Sequence, residues 1–337
     1  MGRTTRRVVV ACTAALSAVA IGACGNTAGG GSAAADFPSE RISIMAPADP
    51  GGGWDETARA FQQSIRDGKV SKQGAEVYNV PGAGGTLGLS QLVSKQKGDP
   101  SQLMVMGLVM LGAIETNKSS VNLSQVTPIS TLTEEAEAIV VPAKSPFRKL
   151  GDLMAALKRD PGSIAWAGGS AGGTDQLLVG QLAEAVGADP GKTKYVAHSG
   201  GGEAIAAILS GSVDAGVSGV AEFADQVEAG KMRVLAVSGE EPVDVGGTKA
   251  PTIKQEGFDV VMTNWRGIVA PPGLSDAERD QVVKFVDQVR ATPAWKENVK
   301  RFGWSELAKS GPEFDSFLKS EQQRVQQLVA DLGLGSS

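Results

Sequence analysis

The sequence predicts an α/β protein folded in two lobes, and two observations predict it. Short apolar runs alternate with amphipathic helical stretches through most of the chain, the pattern of βαβ units. After an extended apolar segment, the last sixty or so residues turn helical; such a tail packs back onto an earlier lobe. Lobe 1 is therefore expected from 36–135 plus 258–337, and lobe 2 from 136–257, with crossings near 133–140 and 240–262.

The elements follow in order. "RISIM" reads as a strand and "WDETARAFQQSI" as a helix, with Ala58, Phe61 and Ile65 on one face. "AEVYNV" is a strand and "TLGLSQLVSKQ" a helix. "LMVMGLVML" reads as a buried strand running into a loop. "AEAIVVPA" is the next strand. "KLGDLMAALKRDPG" is a helix stopped by Pro161 and Gly162. "SIAWA" is a strand, followed by the helix "TDQLLVGQLAEAVG", with Leu178, Leu182 and Ala185 on its apolar side. "KYVAH" is a strand, and Gly211 closes the helix "EAIAAILSG". Strand "VDAGVS", helix "EFADQVEAG" and strand "MRVLAVS" complete the alternation, which predicts mostly parallel sheets. "FDVVMTNWRGIVAPPG" is extended. From Ser275 onward Val282, Phe285, Val286 and Val289 fall in helical register, and Phe314, Phe317, Val325, Leu328 and Leu332 form a last stripe.

The N-terminus has its own signature. Arg3, Arg6 and Arg7 precede the apolar run "VVVACTAALSAVAIGA", the arrangement of a secretory signal. Ile21-Gly22-Ala23-Cys24 looks like a bacterial lipobox, so residues 1–23 are expected to be a signal peptide and Cys24 the lipidated first residue of the mature chain. An ordinary signal cut after a small residue is the alternative. Residues 24–35 read as a polar, flexible tether. No later run approaches the ~18 apolar residues of a membrane span, so the chain is expected outside the cytoplasm, held at the membrane surface by its anchor. Cys12, the other cysteine, lies in the signal, which leaves the mature chain without a disulfide or a cysteine metal site.

Without the signal the chain carries 29 Lys and Arg against 37 Asp and Glu, a net charge of −8. That excess argues against nucleic acid as a partner, while a small anionic ligand remains compatible, because a pocket's local field is not the net charge.

Four glycine-rich loops carry the functional reading: "APADPGGGWDE", "NVPGAGGTLG", "AGGSAGGTDQ" and "VAHSGGGEA". Each joins a strand end to a helix start, where parallel α/β sheets bind ligands. Helix starts present unpaired N–H groups and partial positive charge, and glycine lets a ligand approach them closely. None of the four contains Lys or Arg. An anion there is expected to meet amides, water and the hydroxyls of Thr86, Ser170, Thr174 and Ser199, with Trp54 stacking over it or closing the cleft. Tight turns alone also explain any one such loop. Asp55 either caps its helix and pairs with Arg59, or orients the loop for ligand. Asp175 and Glu203 sit in helix first turns and compete with a bound anion, leaving room for a ligand bearing an amine or hydroxyls.

Other motifs fail on context. Gly168-Gly169-Ser170-Ala171-Gly172 matches the nucleophile elbow of serine hydrolases. The only histidine, His198, follows too closely for the acid loop that fold inserts, and it reads equally as a loop residue bonded locally. "GADPGKT" is one residue short of a phosphate loop and follows a helix. One histidine cannot build a zinc site, and no cofactor or metal is expected.

Together, "PGGGWDETAR", "NVPGAGG", "AWAGGSAGGTDQL", "YVAHSGGGEAIAAILSGSVDAG" and "KAPTIKQEGFDVVMTNWRGIVAPPG" resemble, in order, the substrate-binding proteins of tripartite tricarboxylate transporters, the TctC or Bug family, over Phe37 to Leu332. The resemblance implies a two-lobed, type II-like periplasmic-binding-protein fold with a ligand cleft between the lobes. It implies a receptor, not an enzyme, that binds a small di- or tricarboxylate and delivers it to the transporter's membrane subunits. A sensor lipoprotein feeding a signalling system is the other reading of such a receptor. Carried over by position, the ligand residues are Pro50, Gly51, Gly52, Gly53, Trp54, Asp55, Gly84, Ser170, Gly172, Gly173, Thr174, His198, Ser199 and the loop from Gly219 to Glu222. The chain departs from the family pattern at Gln176, where histidine is common, at His198-Ser199, where Tyr-Lys is common, and at "LVML", where Thr or Ser is usual.

Overall fold

In the computed structural model, residues 37–198 and 201–335 are described. Strand β1 (Ile42–Ala46) leads into helix α1 (Gly53–Asp67), then β2 (Ala75–Asn79), α2 (Thr86–Lys95) and β3 (Gln102–Gly107). β1 pairs in parallel with both β2 and β3. The next segment differs from its reading: Leu108–Thr116 is a helix, α3, starting directly at Gly107. Continuous apolarity cannot separate a buried strand from a buried helix, and all but the last two residues of α3's Met110–Thr116 stretch are buried.

β4 (Thr127–Pro142) is 16 residues long, so the strand read from "AEAIVVPA" begins nine residues earlier. Beyond it run α4 (Leu150–Arg159), β5 (Ala165–Gly168), α5 (Thr174–Ala185), β6 (Lys194–Ala197), α6 (Gly201–Ser210), β7 (Ala215–Gly219), α7 (Val220–Glu228) and β8 (Met232–Val237). A small hairpin, β9 (Val243–Val245) and β10 (Thr248–Ala250), precedes β11 (Thr263–Ala270). The tail comprises α8 (Asp276–Arg290), α9 (Pro293–Arg301), the short β12 (Ser305–Glu306) and α10 (Pro312–Asp331).

The strand order is β2-β1-β3-β11-β4-β7-β5-β6, with β8 and β12 also pairing to β4. The expectation of mostly parallel sheets needs correcting. β5 is parallel to β6 and β7, but β11 runs antiparallel to β3 and β4, and β4 antiparallel to β7 and β8. Alternation of strand and helix gives direction within each βαβ unit; it gives none for the strands that join one half of the sheet to the other. Residues 127–136 of β4 pair with β11, while 137–142 pair with β7 and β8. The two halves of this two-lobed α/β fold thus share one strand.

The helical tail folds back on the first half. Phe61 of α1 meets Trp295 of α9 edge to face at 5.9 Å. Asn298 donates its side-chain amide to Ala60 O and Ser64 Oγ, each at 3.2 Å and buried. Trp265 of β11 donates its indole N–H to Glu321 of α10 at 2.7 Å. α8 begins with a capping box in which Ser275 and Glu278 satisfy each other's amides. Val282, Phe285, Val286 and Val289 are buried as the stripe requires. Among the described residues no helix is long and apolar enough to cross a membrane.

Candidate functional site

The first glycine loop is braced by its own chain. Asp55, only 2 % exposed, accepts the Gly51 N–H at 2.8 Å, Arg59 Nε at 2.8 Å and the Asn79 amide at 2.9 Å. Burial alone would raise its pKa; the bonds from Arg59, Gly51 and Asn79 hold the carboxyl below its usual value. Gly52 N–H is spent on Asp49 O at 3.2 Å. The first-turn amides of Gly53 and Trp54 have no partner among the described residues. A Cβ at Gly53 would stand 2.8 Å from Arg266 Nη2, so glycine here admits that guanidinium.

A cleft of about 700 Å³ opens at these strand ends. Pro50 to Trp54 and Gly82 to Gly85 wall one side, and Ser170, Gly173, Thr174, Gly219 and Glu222 wall the other. Asp55, Gly172 and His198 do not line it. Ser199 and Cys24 lie outside the described residues. The Trp54 ring forms part of the wall: it is buried, and a Cβ at Gly85 would fall 2.6 Å from it. Thr86 hydroxyl bonds to Ala83 O at 2.9 Å. A second cavity, about 580 Å³, sits between α3 and α10 among Gln and Lys side chains, away from the glycine loops.

The third loop spends its amides internally. Gly169 N–H bonds to Asp175 Oδ2 at 2.6 Å, Gly172 N–H to Gln176 Oε1 at 2.7 Å, and Gly173 N–H to Ser170 O at 2.9 Å. What it leaves over is Thr174. Its side chain is 0 % exposed, it lines the cleft, and its hydroxyl has no hydrogen-bond partner. A buried hydroxyl in that state costs about 1–3 kcal/mol.

Contrary to the absence of cations from the loops, a cationic side chain does reach the cleft. Arg266 of β11 lines it and pairs with Glu135 of β4 at 2.9 Å, both nearly buried. Further acids gather there. Burial pushes Asp175 up to about 7, with Glu222 and Glu135 adding to the rise against the Gly169 amide. Burial likewise raises Glu222, helped by Glu135, and raises Glu56 despite Arg266. Glu137, fully buried with both carboxyl oxygens unpartnered, is raised well above the usual range by burial and then by Asp175, Glu135 and Glu222.

Ser170 and His198 do not form a nucleophile–base pair: His198 Nε2 is buried without a hydrogen-bond partner, and Nδ1 lies 4.0 Å from Glu203. Among the residues that sequence reasoning missed are Arg266, Asn264, Glu56 and Asp49, which line the cleft, and Glu135 and Glu137, which do not line it but act on the acids that do. A signal for three of them was available. Arg266 interrupts the apolar run "NWRGIVA", and Glu135 and Glu137 open the run "EAEAIVV". Charges inside buried strands need partners or a cavity.

Comparison with known proteins agrees with this architecture. The chain is 25% identical over 307 residues to the "UPF0065 protein in tcbD-tcbE intergenic region" of Pseudomonas sp. (strain P51), covering 89% of each chain. MatC from Rhodopseudomonas palustris, solved with bound malate, superposes with a TM-score of 0.73 at 22% identity, covering 87% of this chain and 100% of that one. Rpa4515 from the same organism, solved with adipate, gives 0.75 at 17% identity, covering 88% and 99%. The family model for the tripartite tricarboxylate transporter family receptor, TctC, matches residues 58–334, and the chain belongs to that family of solute-binding receptors.

Proposed function

We propose that this chain is an extracytoplasmic receptor that takes a small organic acid into the cleft and delivers it to a membrane permease. In this reading lobe 1 comprises 36–135 plus 258–337 and lobe 2 comprises 136–257. Cys24 anchors the protein through a lipid, and the transporter's membrane subunits are its partners. The observation that carries the reading is the cleft itself. It lies at the carboxyl ends of β1, β2, β5 and β7, and at the first of these the Gly53 and Trp54 amides of the α1 first turn are without a partner among the described residues. The relatives solved with malate and adipate support an acid of that size. The ligand shifts the balance of open and closed forms through its preference for the closed one.

Native mass spectrometry of gently purified protein, followed by thermal shift with organic acids with and without amino groups, tests this. A bound small molecule and a saturable stabilisation of about 2.7 kcal/mol at a hundredfold excess over Kd are expected. Gly52→Val should then weaken binding with the fold intact, because a Cβ there meets Asp49 O only at 3.4 Å. A protein that carries no ligand and responds to no acid would count against the receptor reading; unchanged affinity in Gly52→Val would remove the first loop from the site.

A further inference from the structure

Helix α3 is wedged between two of the glycine loops. Its Val109 lines the cleft. One turn on, Ala113 faces the second loop, where a Cβ at Gly84 would collide with its methyl. Gly112 and Thr116 face the third loop. The Gly172 carbonyl oxygen occupies the space that a Cβ at Gly112 would need, and a Cβ at Gly172 would stand 2.5 Å from Thr116 Oγ1 and 2.6 Å from its Cγ2. Gly172 has φ +73°, a left-handed conformation that glycine takes freely. Gly112 has no such backbone reason: it sits buried inside a helix, where alanine is the stronger former. What it permits is contact of backbone with backbone.

Resting on the receptor reading, we infer that Gly112 is a positioning residue for the solute: from outside the cleft it sets how close the third loop, and with it one wall, stands to the other. Neither Gly112 nor Gly172 lines the cleft, but Ser170, Gly173 and Thr174 on either side of Gly172 do. The loop is a stiff unit, because Gly169 and Gly172 give their N–H groups to Asp175 and Gln176, and Gly173 gives its own to Ser170 O. A push at Gly172 therefore carries the wall residues with it. The seam reaches the cleft at Val109, whose Cγ1 would lie 3.6 Å from a Cβ at Gly173. In the proposed division α3 belongs to lobe 1 and the third loop to lobe 2. The seam is then a stop between the lobes, placed where no side chain can rotate out of the way, and a close-packed contact of that kind yields to added bulk only by displacement.

Hydrogen exchange read by mass spectrometry on the ligand-free mature protein tests the inference, together with calorimetry using adipate and malate as probes. In Gly112→Ala the amides of residues 168–173 should exchange about tenfold faster or more, while those of α8 keep their rates. Affinity for whichever of the two acids the unmutated protein binds should fall about tenfold. Gly172→Ala should act the same way through Thr116. Adding Thr116→Ala, which removes both close atoms, should win back about threefold or more of each loss, and this pair carries the test if Gly112→Ala does not fold. Unchanged exchange in the loop, unchanged affinity beside a loosened loop, or faster exchange spread evenly over the loop and α8 would each overturn the inference. If the unmutated protein binds neither acid, the receptor reading's choice of acid is what fails, and the exchange rates alone decide the inference.

Discussion

Removing the Arg266 guanidinium is the sharpest perturbation of the cleft. Arg266 and Glu135 have side chains 7% and 8% exposed and meet at 2.9 Å. An exposed pair is worth about 0–1 kcal/mol; breaking a buried one by deleting one partner costs about 3–5 kcal/mol, because the other charge is stranded. Arg266→Met keeps most of the bulk that lies over the Trp304 ring, 5.4 Å from its centroid. It leaves Glu135 among Glu56, Glu137 and Glu222 with no other ion-pair partner among the described residues. The expected loss is therefore about 3–4 kcal/mol at pH 7. With an unfolding entropy of ~2.1 cal/mol/K per residue over about 300 folded residues, the melting temperature falls by about 5–6 °C. Urea unfolding should show the same loss with an unchanged slope. Adding Glu135→Gln removes the stranded charge, so the double variant should recover about 2 kcal/mol or more of it. A single-variant cost below about 1 kcal/mol, or a double variant no more stable than Arg266→Met, would refute the assignment of the pair as a buried, mutually dependent unit.

Two further predictions concern the wall formed by α5. Thr174→Val removes the unpartnered hydroxyl at nearly constant shape, so the protein should gain about 1 kcal/mol by urea unfolding; a destabilised variant would show that the hydroxyl does have a partner. Asp175 is pushed up to about 7 in the fold, beside Glu222, Glu135, Glu137 and Tyr195. The folded state therefore keeps a proton that the unfolded chain gives up near 3.8, so stability falls as pH rises between those values, and the loss is complete above pH 7. Glu137 and Glu222, also raised, act in the same direction. Asp175→Asn should reduce the drop in unfolding free energy between pH 5 and pH 8; identical drops in both proteins would show that Asp175 is not its source.

Much of the scaffold was legible because helix faces and strand–loop–helix joints leave local marks. The stripe from Val282 to Val289 is buried, and the glycine loops gather at one cleft. What escaped was tertiary. Nothing local in "LVML" distinguishes a buried helix from a strand, and β4 and β11 carry no sign of which neighbour they oppose. The glycine amides looked available in the sequence. In the fold, Asp55, Asp175 and Gln176 take several of them, so the loops are held rigid by carboxylate and amide side chains four to six residues downstream. Arg266 and Glu135 each read as a charge in an apolar strand; that they answer one another depends on two strands lying side by side.

The passage of β4 through both halves of the sheet has a mechanical consequence. Two bodies joined by a slack linker can swing through a wide arc, whereas two that share an uninterrupted, hydrogen-bonded ribbon can only flex and twist along it. The offsets in β11 pairing at Arg266/Gly267 and Ile268/Val269 and in β8 pairing at Ile139/Val140 interrupt the ladder of that ribbon. Any closure of the cleft therefore works by bending and twisting that ribbon.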